Sequence, residues 1–120
     1  DVVCLGIGEN GHIAFNDPGV ADFRDKAVIK AVPLDDVCRQ QQVNDGCFPT
    51  IDDVPKQAIT LTCPTLANAP YQFCIVPAPT KANAVKRTLT GEINEDCPAT
   101  ILRTRPAAVL YLDDASSALL

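Results

Sequence analysis

Methionine and tryptophan are absent from this 120-residue sequence, and histidine occurs once. No apolar run approaches the roughly 18 residues that a membrane-spanning helix needs. The first residues also lack the basic segment and apolar stretch of a secretory signal. We therefore expect a soluble, cytoplasmic protein without a membrane partner.

Positive charge is scarce as well. Ten basic residues stand against fifteen acidic ones, for a net charge of −5, and the basic residues do not cluster in the sequence. Such a chain repels the phosphates of nucleic acids, so a nucleic-acid partner is not predicted.

The six cysteines include no C-x-x-C pair, and one histidine cannot complete a zinc site of the usual spacing. No metal site is therefore predicted. Reduced thiols in a cytoplasmic protein are the favoured interpretation, although the even count leaves disulfides open.

What the sequence does contain is enough apolar surface for one core, since 47% of its residues are hydrophobic and 21% are charged. Apolar segments bounded by Gly, Pro or Asp predict strands over residues 2–7, 58–61, 72–76 and 108–112. A helix with Thr80 as N-cap and Gly91 as stop is predicted between the last two strands. Strand, helix and strand in this order are typical of an α/β fold with a parallel sheet.

Other segments are less regular. A short strand over residues 27–32 and a helix over residues 35–43, capped by Asp35, are predicted within a long excursion over the carboxyl edge of the sheet. Further helices are predicted from Pro98 and within residues 113–120. The first strand is apolar on both faces, which is typical of the middle of a parallel sheet, so we expect the chain to be part of a larger protein.

A glycine-rich turn follows the first strand. Gly6, Gly8 and Gly11 have the G-x-G-x-x-G spacing of a dinucleotide-binding turn. Pro18 follows too soon for the helix that such a turn must open, although Asp35 or Asp36 would suit a ribose contact. Nucleotide binding is therefore the weaker of two interpretations.

The stronger interpretation rests on the polar side chains in the same turn. His12 is the only side chain of the chain whose ordinary pKa allows proton exchange near neutral pH. Asp17 can orient the imidazole, and Asn10 and Asn16 add donors and acceptors beside it. The structural alternative is a histidine that only ties the loop together.

Residues 5–18 read L-G-I-G-E-N-G-H-I-A-F-N-D-P, and this string closely resembles the signature L-G-I-G-x-[DN]-G-H-I-[AG]-F-N-E-P of the glucosamine-6-phosphate deaminase/isomerase family. The resemblance continues through D-V-P-K-Q-A-I-T-L-T at residues 53–62, K-A-N-A-V at residues 81–85 and C-P-A-T-I-L-R-T at residues 97–104. It covers essentially the whole chain, which would be the C-terminal part of one such domain.

This resemblance implies a Rossmann-like parallel sheet with flanking helices, as an incomplete portion of a larger three-layer domain. It also implies conversion of glucosamine 6-phosphate to fructose 6-phosphate and ammonia, without a metal or cofactor. By position, His12 would open the sugar ring, Asp17 and Asn10 would complete its relay, and Lys81 would contact the substrate phosphate. A homo-oligomer is expected for the full-length form.

The sequence departs from the family pattern in several places. Asp17 replaces the usual glutamate, so we expect its contact with His12 to need a backbone shift or a water molecule. The phosphate-binding arginine is missing, and Arg39 or Arg24 are the candidate substitutes. The family's other phosphate loop and its proton-transfer aspartate are also absent from these residues, so we expect the chain alone to isomerise nothing.

Two other functions stay open. A 6-phosphogluconolactonase-type hydrolase is the sister activity, but its motif continues with A-S-L-F-P where this chain has A-F-N-D-P at residues 14–18. The other alternative is a non-catalytic phosphosugar-binding protein, for which the replacements at Asn10 and Asp17 would be the signature.

Overall fold

The computed structural model describes residues 1–120, in which five β-strands alternate with three α-helices and three 3₁₀ helices. The strands are β1 (Val2–Leu5), β2 (Ile29–Pro33), β3 (Gln57–Leu61), β4 (Tyr71–Val76) and β5 (Ala108–Leu112). The α-helices are α1 (Asp36–Asn44), α2 (Cys63–Ala67) and α3 (Ala82–Thr90). The 3₁₀ helices are Ile51–Asp53, Pro79–Lys81 and Pro98–Thr104.

The central sheet is parallel, with strand order β1-β4-β5. Val2 pairs with Tyr71, and Gln72 pairs with Ala108, so the carboxyl ends of all three strands meet at one edge. The helix α3 and the helix Pro98–Thr104 contribute Val85, Ala99 and neighbouring residues to a core with the buried residues of β4. The predicted α/β class with a parallel sheet and flanking helices is confirmed.

Within the described residues, β1 has a neighbour on one side only. It is an edge strand that pairs with β4 alone, and the side chain of Val2 is 56% exposed. The regular strand also ends at Leu5, although the buried Ile7 continues into the core. The apolar character of both faces suggested an interior strand, but the described residues supply a covering layer for one face only.

Two strands lie outside this sheet. The strand predicted over residues 58–61 exists as β3, and it pairs antiparallel with β2, with Ile29 opposite Leu61. This two-stranded ribbon starts and ends the excursion between the glycine turn and α2.

The helix signals were partly correct. Asp35 caps α1 as predicted, since its carboxylate accepts a hydrogen bond of 2.7 Å from the backbone N–H of Cys38. Thr80 is not the cap of α3, because a 3₁₀ turn precedes that helix and places Lys81 at the N-cap position. The predicted helix in residues 113–120 is wrong: these residues form turns, in which Ser116 and Ser117 hydroxyls bind the backbone oxygen of Asp113.

The six cysteines all carry free thiols. Cys74 is buried in the core as expected, and burial raises the pKa of its thiol to about 12. Cys4, by contrast, is exposed on the edge strand. None of the helices is long and apolar enough to cross a membrane.

Candidate active site

The glycine turn directly follows β1 at the carboxyl edge of the sheet. Gly8 donates its backbone N–H to the oxygen of His12, and Gly11 donates to the oxygen of Gly8, each at 2.9 Å. A Cβ on residue 8 would lie 2.0 Å from the imidazole of His12, so only glycine leaves room for the ring. The turn opens no helix, because Ile13 and Asn16 form an isolated bridge instead, and the dinucleotide-binding interpretation therefore loses its required element.

The imidazole of His12 lies between two acceptors. Its Nδ1 is 2.6 Å from Oδ1 of Asn10 and 3.1 Å from Oδ1 of Asp17. His12 is 8% exposed and Asp17 is 1% exposed, so these contacts are shielded from solvent. The structure thus brings together the three residues predicted from the sequence, and the contact of Asp17 with His12 is direct. The water molecule expected between them is not needed.

The orientation of Asn10 fixes the tautomer of His12. The amide nitrogen of Asn10 donates to Asp17 at 3.1 Å and to Asp35 at 2.9 Å. Because carboxylates only accept, the NH₂ group must face them, and the Asn10 oxygen must face His12. The Nδ1 of His12 then carries the hydrogen, and Nε2 is the nitrogen left to exchange a proton with a ligand.

Asp17 is held as a carboxylate. Burial by itself raises its pKa, but hydrogen bonds from His12 and Asn10 outweigh burial, and the charge of His12 and the backbone N–H of Asp35 add to them. The pKa of Asp17 is therefore below its ordinary value. A buried carboxylate beside the ring stabilises the imidazolium that forms when Nε2 takes up a proton.

Asn16 does not join this group. Its amide nitrogen donates to the backbone oxygens of Ile13 and Leu61, at 2.9 and 2.8 Å. The residue is fully buried and ties the glycine turn to β3. Its role in the described structure is structural, which differs from the expectation that it adds hydrogen bonds beside His12.

A cavity of about 290 Å³ opens at this edge of the sheet. Both His12 and Lys81 line this cavity. The other lining residues are Gly6, Ile7, Gly8, Ala14, Gln41, Ile75, Val76 and Pro77. Lys81 lies at the start of α3, where the ammonium and the helix N-terminus both favour an anion. A second cavity of about 150 Å³ lies beneath β5, but it is mostly apolar and contains neither a histidine nor a carboxylate. The first cavity is therefore the candidate site.

The loop that carries Lys81 is strained. Ala78 has φ +85° and ψ +150°, a backbone conformation that is essentially restricted to glycine and costs a few kcal/mol, on the order of 1–3. Its N–H donates to the carboxylate of Asp113 at 3.0 Å. Asp113 thus ties the loop after β4 to the end of β5, a role that the sequence did not reveal.

The two candidate arginines lie elsewhere. The guanidinium of Arg39 donates to the backbone oxygen of Ile51 at 2.7 Å and pairs with Asp36, and neither Arg39 nor Arg24 lines the cavity. Sequence reasoning also missed Gln41, which lines the cavity while its side-chain oxygen accepts from the N–H of Glu9 at 3.2 Å. Asp35 was predicted as a helix cap and as a possible ribose contact, and its contact with Asn10 had no signal in the local sequence.

Comparison with known proteins gives consistent matches. The sequence model of the family described as glucosamine-6-phosphate isomerases/6-phosphogluconolactonase matches residues 1–111. Glucosamine-6-phosphate deaminase of Oenococcus oeni is 39% identical over 120 residues, which are 100% of this chain and 49% of that protein. Glucosamine-6-phosphate deaminase 1 of Bacillus subtilis is 36% identical over 119 residues, which are 99% of this chain and 47% of that protein.

Solved structures agree with these matches. A structure described as a monomeric glucosamine-6-phosphate deaminase has a TM-score of 0.91 at 36% identity, and it covers 100% of this chain and 48% of its own. The 6-phosphogluconolactonase of Trypanosoma brucei has a TM-score of 0.71 at 24% identity and covers 100% of this chain and 42% of its own, which shows the fold alone. The chain spans about half the length of the curated relatives it matches. This chain therefore belongs to the glucosamine-6-phosphate isomerase/6-phosphogluconolactonase family.

Proposed function

We propose that this chain carries the ring-opening acid–base group and one phosphate contact of an enzyme that converts glucosamine 6-phosphate to fructose 6-phosphate and ammonia. The observation that carries the proposal is the buried pair of His12 and Asp17, in which His12 lines the same cavity as Lys81. A proton-transfer group and a cation facing one cavity are what an anionic sugar needs for ring opening.

Each residue has a distinct role in this proposal. Nε2 of His12 exchanges a proton with the ring oxygen of the sugar, and Asp17 stabilises the imidazolium. Asn10 fixes the tautomer through its contacts with both Asp17 and Asp35. Lys81 binds the phosphate as a point charge. The part of the reaction assigned to His12 is a proton transfer, and release of ammonia also requires water to replace the amino group at C2.

We also propose that residues 1–120 form one part of a larger single domain. One face of the parallel sheet exposes Val2, Tyr71, Ile75, Val109 and Tyr111, each 41–56% exposed. Apolar side chains on adjacent strands form the kind of patch that another layer of structure covers. The base that moves a proton between C1 and C2 of the sugar would then come from outside these residues, so the chain alone should isomerise nothing.

The geometry bears on the two alternatives. A protein that had lost the chemistry and kept only binding would have no need for the 3.1 Å contact between the imidazole and a buried carboxylate, yet that contact is intact despite the shorter Asp17. The lactonase alternative can be distinguished by the products of the reaction, because hydrolysis of a lactone releases no ammonia.

The test is an assay of the natural protein that contains this chain, with glucosamine 6-phosphate and 6-phosphogluconolactone as separate substrates. We expect ammonia and ketose phosphate from the first substrate and no hydrolysis of the second. His12→Gln should lower turnover by about 100-fold or more, as for loss of a positioned acid–base group. Unchanged turnover in this variant would overturn the assignment, and lactone hydrolysis without ammonia would favour the sister activity.

Lys81→Ala tests the phosphate contact in the same assay. We expect KM to rise by about 10-fold or more with a smaller change in kcat, since the lost charge binds the ground state and the transition state alike. Lys86→Ala is the matched control, because Lys86 is exposed on α3 and does not line the cavity. Equal effects of the two variants would remove Lys81 from the site.

The cytoplasmic location and the oligomeric state stay predictions. Six free thiols fit a reducing compartment. The exposed apolar face is compatible with a contact between copies, whereas the structural relative at 36% identity is described as monomeric. Light scattering on the natural protein distinguishes a homo-oligomer from a monomer.

A further inference from the structure

A buried cysteine lies next to the pair of His12 and Asp17. Cys38 is fully buried in the first turns of α1, where Asp35 holds its backbone N–H. A ring nitrogen of His12, a carboxylate oxygen of Asp17 and Sγ of Cys38 all lie within 4.8 Å of one another. The thiol of Cys38 has no hydrogen-bond partner among the side-chain contacts, so it faces this group unpaired.

These three ligand types are those that Zn²⁺ prefers. Bonds of about 2.0–2.3 Å to nitrogen, oxygen and sulfur require ligand atoms about 3–4 Å apart in a tetrahedral site. Nδ1 of His12 and Oδ1 of Asp17 are already 3.1 Å apart. A small closure that brings Sγ nearer completes three protein ligands.

The electrostatics of the group favour a cation. Burial raises the pKa of the Cys38 thiol to about 12, and the negative charges of Asp17 and Asp35 add to this effect, while Lys81 opposes it. The thiol is therefore protonated when no metal is present. The same two carboxylates attract a divalent cation, which displaces a thiol proton when it binds sulfur.

We propose that His12, Asp17 and Cys38 form an inhibitory site for a thiophilic divalent cation of the Zn²⁺ class. The ion binds Nδ1, the Asp17 oxygen and the Cys38 sulfur, and one proton leaves the thiol for each ion bound. The imidazole stays neutral, and its hydrogen moves from Nδ1 to Nε2. Nε2 then has no lone pair to accept a proton, so the bound ion stops acid–base exchange at this residue.

Binding of the ion does not depend on the proposed function, whereas its effect on turnover rests on that function. The selectivity follows from the thiolate: Zn²⁺ and Co²⁺ should bind, and Mg²⁺, which prefers oxygen ligands, should not compete. Local sequence patterns did not predict the site, because its ligands come from the glycine turn and from a separate helix.

The experiment is a Co²⁺ titration of the metal-free full chain, read by the absorption band of a thiolate bound to Co²⁺. Cys38→Ser should abolish the band and weaken Zn²⁺ binding by more than about 100-fold, since even outer partners of a metal ligand are worth 10–100-fold. Cys47→Ser is the matched control, because Cys47 is exposed just beyond α1. It should keep both the band and the affinity.

A measurement on the unmutated chain makes the test independent of folding in the variants. X-ray absorption at the zinc edge should show one sulfur at about 2.3 Å with nitrogen and oxygen ligands. Absence of sulfur, a band that persists in Cys38→Ser, or a band lost in Cys47→Ser would overturn the site.

Turnover separates this inference from the proposed function. Zn²⁺ should inhibit the unmutated protein and should not inhibit Cys38→Ser, each relative to its own metal-free rate. In the natural protein that contains this chain, a thiolate band without any turnover of glucosamine 6-phosphate would support the metal site and contradict the proposed function. Turnover without a thiolate band would support the proposed function and contradict the metal site.

Discussion

The carboxyl edge of the parallel sheet and its uncovered face differ in one respect. These 120 residues supply the hydrogen-bond partners at the edge, but they do not bury the apolar side chains on the face. At the edge, Asn10, His12 and Asp17 are buried or half-buried and bonded to one another and to Asp35. On the face, Tyr71 lies beside Val2 and Tyr111 lies beside Ile75, and these side chains are 50–56% exposed. The polar side chains at the edge thus find their partners within the chain, whereas the apolar side chains on the face stay exposed.

The difference follows from the two kinds of interaction. Hydrogen bonds are directional and need one partner at about 3 Å, which a short turn and one helix end can supply. Apolar burial scales with area and needs a whole layer of structure. The candidate site is therefore the region whose contacts are supplied most completely by the chain itself.

The largest expected effect comes from Gly8→Ala at the edge. A methyl group at this position would overlap the imidazole of His12, which must then leave its place. We expect turnover in the natural protein to fall by about 100-fold or more, as for loss of the acid–base group itself. Unfolding measurements should show a loss of about 1–3 kcal/mol from overpacking.

Gly6→Ala is the matched control for stability. The nearest neighbour of a Cβ there would be the backbone oxygen of Ile75, at an ordinary 3.4 Å. If both variants lose the same stability, crowding at the imidazole is not the reason that residue 8 is glycine.

The next effect is the pH dependence of stability through Asp17. Its folded pKa lies below the ordinary value of 3.8, so the unfolded state binds the proton more tightly. Its contribution to the free energy of unfolding is thus present above pH 3.8 and is lost as the pH falls through the lower folded pKa. Denaturant titrations across the acidic range should show a steeper acid loss in the unmutated chain than in Asp17→Asn.

Asp25→Asn is the comparison for this titration. The pKa of Asp25 is also lowered, by its hydrogen bond with Lys30, but its side chain is 14% exposed, against 1% for Asp17. An equal change in acid sensitivity for Asp17→Asn and Asp25→Asn would contradict the special position of the buried carboxylate.

A smaller effect is expected from the strained residue at the same edge. Ala78→Gly should raise the free energy of unfolding by about 1 kcal/mol, because relief of a strain of that order exceeds the added entropy of glycine in the unfolded chain. Ala82→Gly, at an ordinary φ of −57°, should instead lower it by about 0.5–1 kcal/mol. Thermal unfolding of both variants checks the sign, and a loss of stability in Ala78→Gly would show that this backbone position is not strained.

The smallest effect is expected on the uncovered face. Tyr71→Lys should change the free energy of unfolding of the chain by less than about 0.5 kcal/mol, since Tyr71 is 55% exposed. It should also weaken the binding of a dye that is specific for apolar surfaces. Val76→Lys, on the same strand but 1% exposed, should prevent folding. A large loss of stability in Tyr71→Lys would mean that the face is covered within the chain.

The sequence predicted those parts of the molecule that depend on local pattern. Apolar runs located the strands of the central sheet, the cap at Asp35 located α1, and the motif around His12 located the candidate pair with Asp17. Each of these patterns lies within a few residues of the feature that it predicts. Such local features do not depend on which distant segments pack against them.

The parts that sequence reasoning missed depend on distant segments. The contact of Asp35 with Asn10 joins residues 25 positions apart, and the contact of Asp113 with Ala78 joins residues 35 apart. The residue types of these contacts do not indicate which distant residue each one will meet. The apolar residues on both faces of β1 predicted neighbours on both sides, and the described residues supply β4 on one side only.

The bonds between the glycine turn and the start of α1 also turn the intervening segment into a ring. Besides the Asn10 bridge, the N–H of Asp35 donates to Asp17 at 3.2 Å, so residues 18–34 begin and end at one fixed point. Extra residues inside such a ring add little closure entropy, about 0.6 kcal/mol for a doubling of its length. At Gly19, which is exposed with nothing within 4 Å of a Cβ, the chain can be lengthened while the imidazole stays where it is.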